Sequence, residues 1–533
     1  MKTIRIFLLF ACLLPLSYLF AQQTNYPSII ENWTLMPDGS QVFHHTSVLH
    51  IGPVTDMGSF GEDFVVYNPD QQVLKINHSY TMQADGNHVD TSANGLVDVL
   101  PRAASRAPVY NHLREKVIVH TGLDENCTVY TDYTLTSKPG YNAYLDICQP
   151  LRKACPVKQY TLSISTPTGT PLQYSLQGVH QSPFKTETTG KLVKATCTLH
   201  NLPAYDHSPY AHNTKDNEDI LMASTYANQA EAFGRLSNQF CANDNPLLQT
   251  VAETLTENCT TDTQRIDSLF AYVKEDTEAC ALTLSETNYT LRKVEDVINE
   301  AYGTQLDKLN LLKGLINSLN PDFEARISAC FLPNGKGLHN LNSLQYPFVV
   351  VKVAGQQRLL ALSATPNTLA WHSRILPTLT LSPPQPLSLQ ACDTVKKHFD
   401  LTPKKENSKE GFLVVSLPAT TTESAIKRLC QGFTSSKKDL FLPFPLTGTE
   451  ASYTLTIPKG MKLISSTSTQ TKKNKIGSVQ TTYSVQQNQV LITRKLNLTK
   501  NFRPIIQAKE WPDFQALMLA WISKNQHTIA FSN

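Results

Sequence analysis

Charge is scarce in this chain. Only 17% of its 533 residues are charged, against roughly 25% in an average soluble protein, whereas 41% are hydrophobic. That apolar share can fill cores, so disorder along the whole chain is excluded. A basic excess is also missing. The formal net charge is +3, but Lys2 and Arg5 stand in the first 21 positions without an acid, and the remainder holds 45 basic against 44 acidic residues, a net +1. No polycationic surface for nucleic acid is implied. Beyond the N-terminus no apolar run approaches the roughly 20 residues that a membrane-spanning helix needs, and the mean hydropathy is −0.24. Phosphate-cradling G-x-x-x-x-G-K, serine-hydrolase G-x-S-x-G and zinc-protease H-E-x-x-H are absent. No two cysteines have the C-x-x-C spacing of a zinc site. What remains is a long, well-filled chain, and at roughly 150 residues per domain it divides into three or four domains.

The N-terminus has a different character. Lys2 and Arg5 precede an apolar stretch from Ile6 to Phe20, closed by Ala21 and the polar run Gln22-Gln23-Thr24-Asn25. This order predicts a secretory signal peptide, residues 1–21, cleaved after Ala21. Lipidation at Cys12 is the competing reading, but it leaves only six apolar residues after Arg5 and no account of Leu13 to Leu19. Removal of the signal takes Cys12 and leaves ten of eleven cysteines, an even number in an exported protein, which permits disulfides. Cys148 and Cys155 are the best local pair, and two buried thiols are an equally good reading. The pairing of Cys127, Cys197, Cys241, Cys259, Cys280, Cys330, Cys392 and Cys430 is left open.

From Trp33 to Tyr210 the apolar residues fall in short β-branched or aromatic runs such as Val48-Leu49-His50-Ile51 and Val117-Ile118-Val119-His120, divided by turns such as Pro37-Asp38-Gly39 and Asp85-Gly86-Asn87. This is the pattern of an antiparallel β-sandwich. Residues of about 220 to 320 read as helical. Ile266, Leu269, Phe270 and Val273 make one helical stripe, and Thr304 to Leu319 carries Leu306, Leu309, Leu311, Leu312, Leu315, Ile316 and Leu319 around most of its circumference, which predicts a helix buried on nearly all sides. Strands return at Ala325 to Phe331, Phe348 to Val353 and Leu359 to Leu362, an α+β arrangement. Pro377, Pro383, Pro384 and Pro386 read as a linker, and the rest as a β-rich domain closed by a helix with Phe514, Leu517, Met518 and Trp521 on one face.

The order at the middle of the chain is specific: helices, the turn Tyr302-Gly303, a buried helix, then two strands joined by a tight turn at Gly355. It resembles the transglutaminase-like superfamily of papain-type cysteine enzymes, and in particular bacterial exported proteins in which a β-sandwich of unknown function precedes a transglutaminase-like core and another β-rich domain follows. The resemblance extends to the Pro37-Asp38-Gly39-Ser40 turn and the ending Glu510-Trp511-Pro512-Asp513-Phe514. It implies a multi-domain, strand-rich α+β chain: a sandwich at 22–218, a transglutaminase-like domain at 219–372 and a C-terminal domain at 373–533. It also implies a bacterial periplasmic or cell-envelope location.

Active members need a Cys at the start of the buried helix, where the helix dipole favours thiolate, a His on the following strand and an Asp on the next to orient it. Their nucleophile motif runs Tyr-Gly-Asp-Cys-Lys-Asp. This chain has Tyr302-Gly303-Thr304-Gln305-Leu306-Asp307, so Gln305 takes the Cys position. Phe348 in Tyr346-Pro347-Phe348-Val349 stands nearest the His position, and Ser363 in Leu362-Ser363-Ala364-Thr365-Pro366 replaces the Asp. An amide is no acyl nucleophile, a phenyl ring moves no proton and a hydroxyl does not compensate an imidazolium. The resemblance therefore implies a pseudoenzyme with no catalytic residue, no cofactor and no metal, which binds a protein, peptide or glycan of the envelope. An envelope hydrolase or acyltransferase with a non-standard site is the alternative. Gln305 and Phe348 are expected to lie close together.

Other polar groups read as structural. Thr304 is expected to cap its helix, with Asp307 completing the capping box. His339, nine residues before Phe348, has no thiol to deprotonate. Asp206, His207 and His212 lack a further ligand for a metal. His44 and His45 point to opposite faces of a strand and do not share one.

Overall fold

The computed structural model describes residues 23–533 except 179, 181, 206–209, 211–218, 242–244, 334–337, 390–394, 405–408, 434–438, 447, 500–501 and 524–526. The expected signal peptide with Cys12, the Asp206, His207 and His212 group, and Cys392 lie outside the described residues. Among the described residues no helix is long and apolar enough to cross a membrane.

Short, β-rich runs build the first domain. Strands β1 (Asn25–Leu35), β2 (Gln41–His50), β3 (Gln72–Met82), β4 (His88–Asp90), β5 (Thr128–Ser137), β6 (Val157–Pro167), β7 (Lys185–Thr189) and β8 (Leu192–Leu202) form one sheet in the order β7-β8-β6-β1-β2-β5-β3-β4. The β1–β2 turn shows why its residues are there: Asp38 Oδ1 accepts from the Ser40 N–H at 2.9 Å and its hydroxyl at 2.7 Å, and Gly39 takes φ +83°, a conformation that suits glycine. Two three-stranded sheets complete the domain: Glu62–Tyr67, Leu96–Val99 and Arg114–Val119 in one, and Asp146–Pro150, Gln173–Gln177 and Ile220–Ser224 in the other. The two histidines of β2 do point to opposite faces. His45 Nδ1 lies 3.2 Å from buried Glu31, whereas His44 Nε2 lies 3.0 Å from Asp132. Ile220–Ser224 pairs with Asp146–Pro150, so the sandwich runs past residue 218 and the expected helical block begins only at Gln229–Ser237.

In the central domain, helices α1 (Pro246–Thr256) and α2 (Asp262–Ala271) pack on α3 (Gln305–Leu319). The close approach of α1 to α3 depends on Gly314, where an added Cβ would stand 2.6 Å from Cys241 Sγ and 2.7 Å from Leu248 Cδ1. As the leucine pattern predicts, α3 is enclosed almost completely; Asp307, Lys308 and Asn310 are buried along with its apolar side chains. Beneath it lie β9 (Arg326–Phe331), β10 (Leu344–Val353) and β11 (Gln356–Leu360), extended by strands Thr378–Leu381 and Pro384–Pro386 into a five-stranded sheet. The stretch expected to be a linker thus folds into this sheet, with Pro377 and Pro383 just outside its strands. Pro384 and Pro386 sit on its edge strand, where a missing N–H costs no ladder bond.

Helix α4 (Pro366–His372) carries fully buried Trp371 into the core of the last domain, among Leu429, Leu442, Phe514 and Trp521. The boundary at 372 therefore cuts through a shared core. The C-terminal domain pairs a five-stranded sheet with a three-stranded one, and its helices α5 (Thr421–Gly432) and α6 (Trp511–Trp521) pack together. The whole is a multi-domain, strand-rich α+β chain closed near its end by a helix and a strand.

Candidate functional site

Where the sandwich meets the central domain the chain leaves a cleft with a cavity of about 730 Å³. Trp33 and Gln41 line it from the sandwich, and the Asp146–Pro150 strand forms part of the wall. Opposite stand the start of α3 with Gln305, the β10 residues Tyr346 and Pro347, and Ser363 beyond β11.

Local chemistry fixes the α3 end. Thr304 Oγ1 accepts from the Asp307 N–H at 3.3 Å, while Asp307 Oδ2 accepts from the Thr304 N–H at 2.8 Å, the expected capping box. Asp307 Oδ1 also accepts from the Arg292 N–H at 2.8 Å. Burial raises the Asp307 carboxyl above its ordinary range against these bonds. The box turns Gln305 into the cleft, where its Nε2 donates to Ser363 Oγ at 2.8 Å.

Phe348 is not in this group. It is fully buried on the opposite face of the sheet with Val350, Ala361 and Leu369, and it does not line the cleft. The expectation that Gln305 and Phe348 lie together at the cleft therefore fails, and with it the alignment of Phe348 to the His position. Tyr346, at φ +40°, is the extra residue of a β-bulge, so Ala329 pairs with Pro347 and Cys330 with Gln345. A bulge reverses which residues face which side. Beyond the bulge the ladder is regular, Val349, Val351 and Val353 face the core around α3, and Pro347 is the β10 residue on that side at the cleft. The three groups brought together are Gln305, Pro347 and Ser363, an amide, a prolyl ring and a hydroxyl with no thiol or imidazole among them.

Among the cysteines, Cys148 lines the cleft and Cys280 does not. Cys280 pairs beside Thr304 in a short parallel ladder, but it is buried against Ala104, Ala107 and Tyr110, and that burial pushes its thiol up. His339 does not line the cleft. Cys155 is a free thiol buried with Leu49, Cys127 and Val129, so the bridge to Cys148 is not made, and Cys148 stands instead on the cleft wall. Among the described residues no group of three His, Cys, Asp or Glu is arranged to hold a metal.

The sequence reading overlooked Asp146. Its carboxylate accepts from the N–H groups of Leu341 at 3.0 Å and Asn342 at 3.3 Å, and its carbonyl accepts from Asn342 Nδ2 at 2.6 Å. Asn340 Nδ2 donates to the carbonyls of Ile147 and Ala223. Together they bind the 340–342 loop to the sandwich. Complete burial pushes the Asp146 carboxyl up to about 7 despite its donors and the nearby Arg235. No local motif marks such an aspartate; only the contact between domains does.

Comparison with known proteins places this architecture. Residues 37–206 match DUF3857 and residues 413–531 match DUF3858, both domains of unknown function. A solved structure described as a putative protease from Parabacteroides distasonis is 30% identical, and the match covers 96% of this chain and 100% of that one at a TM-score of 0.86. The chain belongs to the family of that protein. A search of curated proteins returned no match. Within this family assignment, DUF3857 falls on the sandwich and supplies Gln41 and Asp146 to the cleft, whereas Gln305, Pro347 and Ser363 lie outside both matched stretches.

Proposed function

We propose that this chain is an exported, non-catalytic transglutaminase-like pseudoenzyme of the bacterial cell envelope, which binds an uncharged polar segment of a protein, peptide or glycan in the cleft. The hydrogen bond between Gln305 and Ser363 carries the reading: two of the three positions where the chemistry would reside are joined through neutral groups, and Pro347 stands at the third. The lining supports an uncharged ligand. It includes the uncharged amides of Gln41, Asn142, Gln305 and Asn342, with Trp33 and Tyr289 as apolar surfaces; Gln41, Gln305 and Asn342 already donate to protein partners, and its one carboxyl, Asp146, already accepts.

The test uses the purified full-length chain in casein hydrolysis and amine-incorporation assays. No rate above buffer is expected. A rate that survives purification and disappears in Gln305→Ala would sink the proposal.

One observation favours the alternative of a hydrolase with a non-standard site: the solved relative is described as a putative protease. Labelling with an iodoacetamide probe separates the two. On the pseudoenzyme reading, buried Cys155, Cys280, Cys330 and Cys430 react slowly because burial raises their thiols. One cysteine labelled far faster than all others, with a hydrolytic rate that falls in step, would establish the alternative.

A further inference from the structure

On the far side of the central domain a second cavity, of about 880 Å³, separates α4 and the end of the central sheet from the C-terminal domain. Its volume falls within the range of small-molecule sites, roughly 300–1,000 Å³. Leu376, Pro377, Leu387 and Leu389 give it an apolar wall. Two guanidinium groups, Arg374 and Arg503, stand at it, and among the described residues no carboxylate lines it.

The two arginines differ in how they are held. Arg374 Nη1 donates to the Phe502 carbonyl at 3.0 Å, and its guanidinium lies 5.3 Å from the ring centroid of Trp371. Trp371 is itself fixed by donation from its indole Nε1 to the Leu442 carbonyl at 2.7 Å. Arg374 is therefore positioned in advance and keeps free donors. Arg503 is exposed. Among the described residues neither arginine is in an ion pair. Elsewhere most arginines of the central domain do have one: Arg265 with Asp262, Arg292 with Glu300, Arg326 with Glu324 and Arg358 with Asp267.

We infer that this cavity is a binding site for an amphiphile with an oxyanion headgroup, its carboxylate or phosphate held by Arg374 and Arg503 and its apolar chain laid along Leu376, Pro377, Leu387 and Leu389. Planar guanidinium forks match both oxyanions. An apolar wall of this size accepts an alkyl chain that a free inorganic ion would leave unused. The site is independent of the Gln305 cleft.

Calorimetric titration of the full-length chain, below the micellar concentration of each probe, tests the inference with dodecanoate, dodecyl phosphate and neutral dodecyl maltoside. Saturable binding of at least one anionic probe is expected, at least about tenfold tighter than the neutral one, and Arg503→Gln weakens it about tenfold. The preferred anion distinguishes a carboxyl from a phosphoryl headgroup. Arg503 is exposed, so its variant folds; Arg374→Gln gives a second reading, accompanied by circular dichroism. Equal binding of the neutral probe, no binding of either anion, or unchanged affinity in Arg503→Gln overturns the site.

Discussion

The central domain is joined to its two neighbours by opposite means. Toward the sandwich the junction is polar: Asp146, Asn340 and Asn342 tie the 340–342 loop to two strands of the other domain. Toward the C-terminal domain it is apolar, with Trp371 inserted among Leu429, Leu442 and Phe514, and His372 in tilted ring contacts with Tyr346 and Phe441. A polar junction can border a cleft because its groups remain satisfied beside water, whereas Trp371 and its neighbours exclude water from the centre of the apolar junction, with the second cavity lying beside that contact. The candidate cleft lies at the polar junction.

The largest effect that would break this contrast is Trp371→Ala. It removes a fully buried indole and should cost about 3–5 kcal/mol, read by urea unfolding as a C-terminal transition separated from the rest. Next comes Asp146→Ala, which leaves two buried N–H groups without an acceptor and should cost about 2–4 kcal/mol, read as increased hydrogen exchange at 340–342 with the C-terminal domain unaffected. Equal responses of both regions to either substitution would dissolve the distinction.

A smaller effect concerns pH, with opposite signs at the two junctions. Burial lowers His372 from 6.5 to about 4. Between those values the unfolded chain takes up a proton that the folded chain does not, so stability falls as pH falls through the window. Burial raises Asp146 from 3.8 to about 7. Here the folded chain holds the extra proton, so stability falls as pH rises through that range. His372→Phe should therefore leave a stability that only declines from pH 5 to 7, and Asp146→Asn one that only increases. Unfolding midpoints across that interval measure both slopes. Smallest of all, Ser363→Ala removes one exposed hydrogen bond to Gln305 and should change stability by less than about 1 kcal/mol.

Much of this architecture was legible beforehand. The buried helix announced itself through leucines on every side, its start through Thr304 and Asp307, and the sandwich through short alternating runs between turns. The position of the strand residue at the cleft was not. Residues 347 to 350 pair without interruption, so Pro347 shares a face with Val349 and Phe348 takes the other; the apolar run Pro-Phe-Val-Val-Val does not record which face is which. Proline misled again at 377–386, where a composition that usually marks a linker belongs to a sheet edge. Asp146 was illegible for another reason, since its partners lie almost 200 positions later at Leu341 and Asn342.

Trp33 and Gln41 belong to one domain, Gln305 and Ser363 to the next, so neither domain alone possesses the cleft. Occupancy and docking are thus thermodynamically linked: whatever binds there pulls the equilibrium toward the assembled pair, by an amount set by its concentration relative to its dissociation constant. A cut that releases the sandwich would therefore dismantle the cleft without touching Gln305.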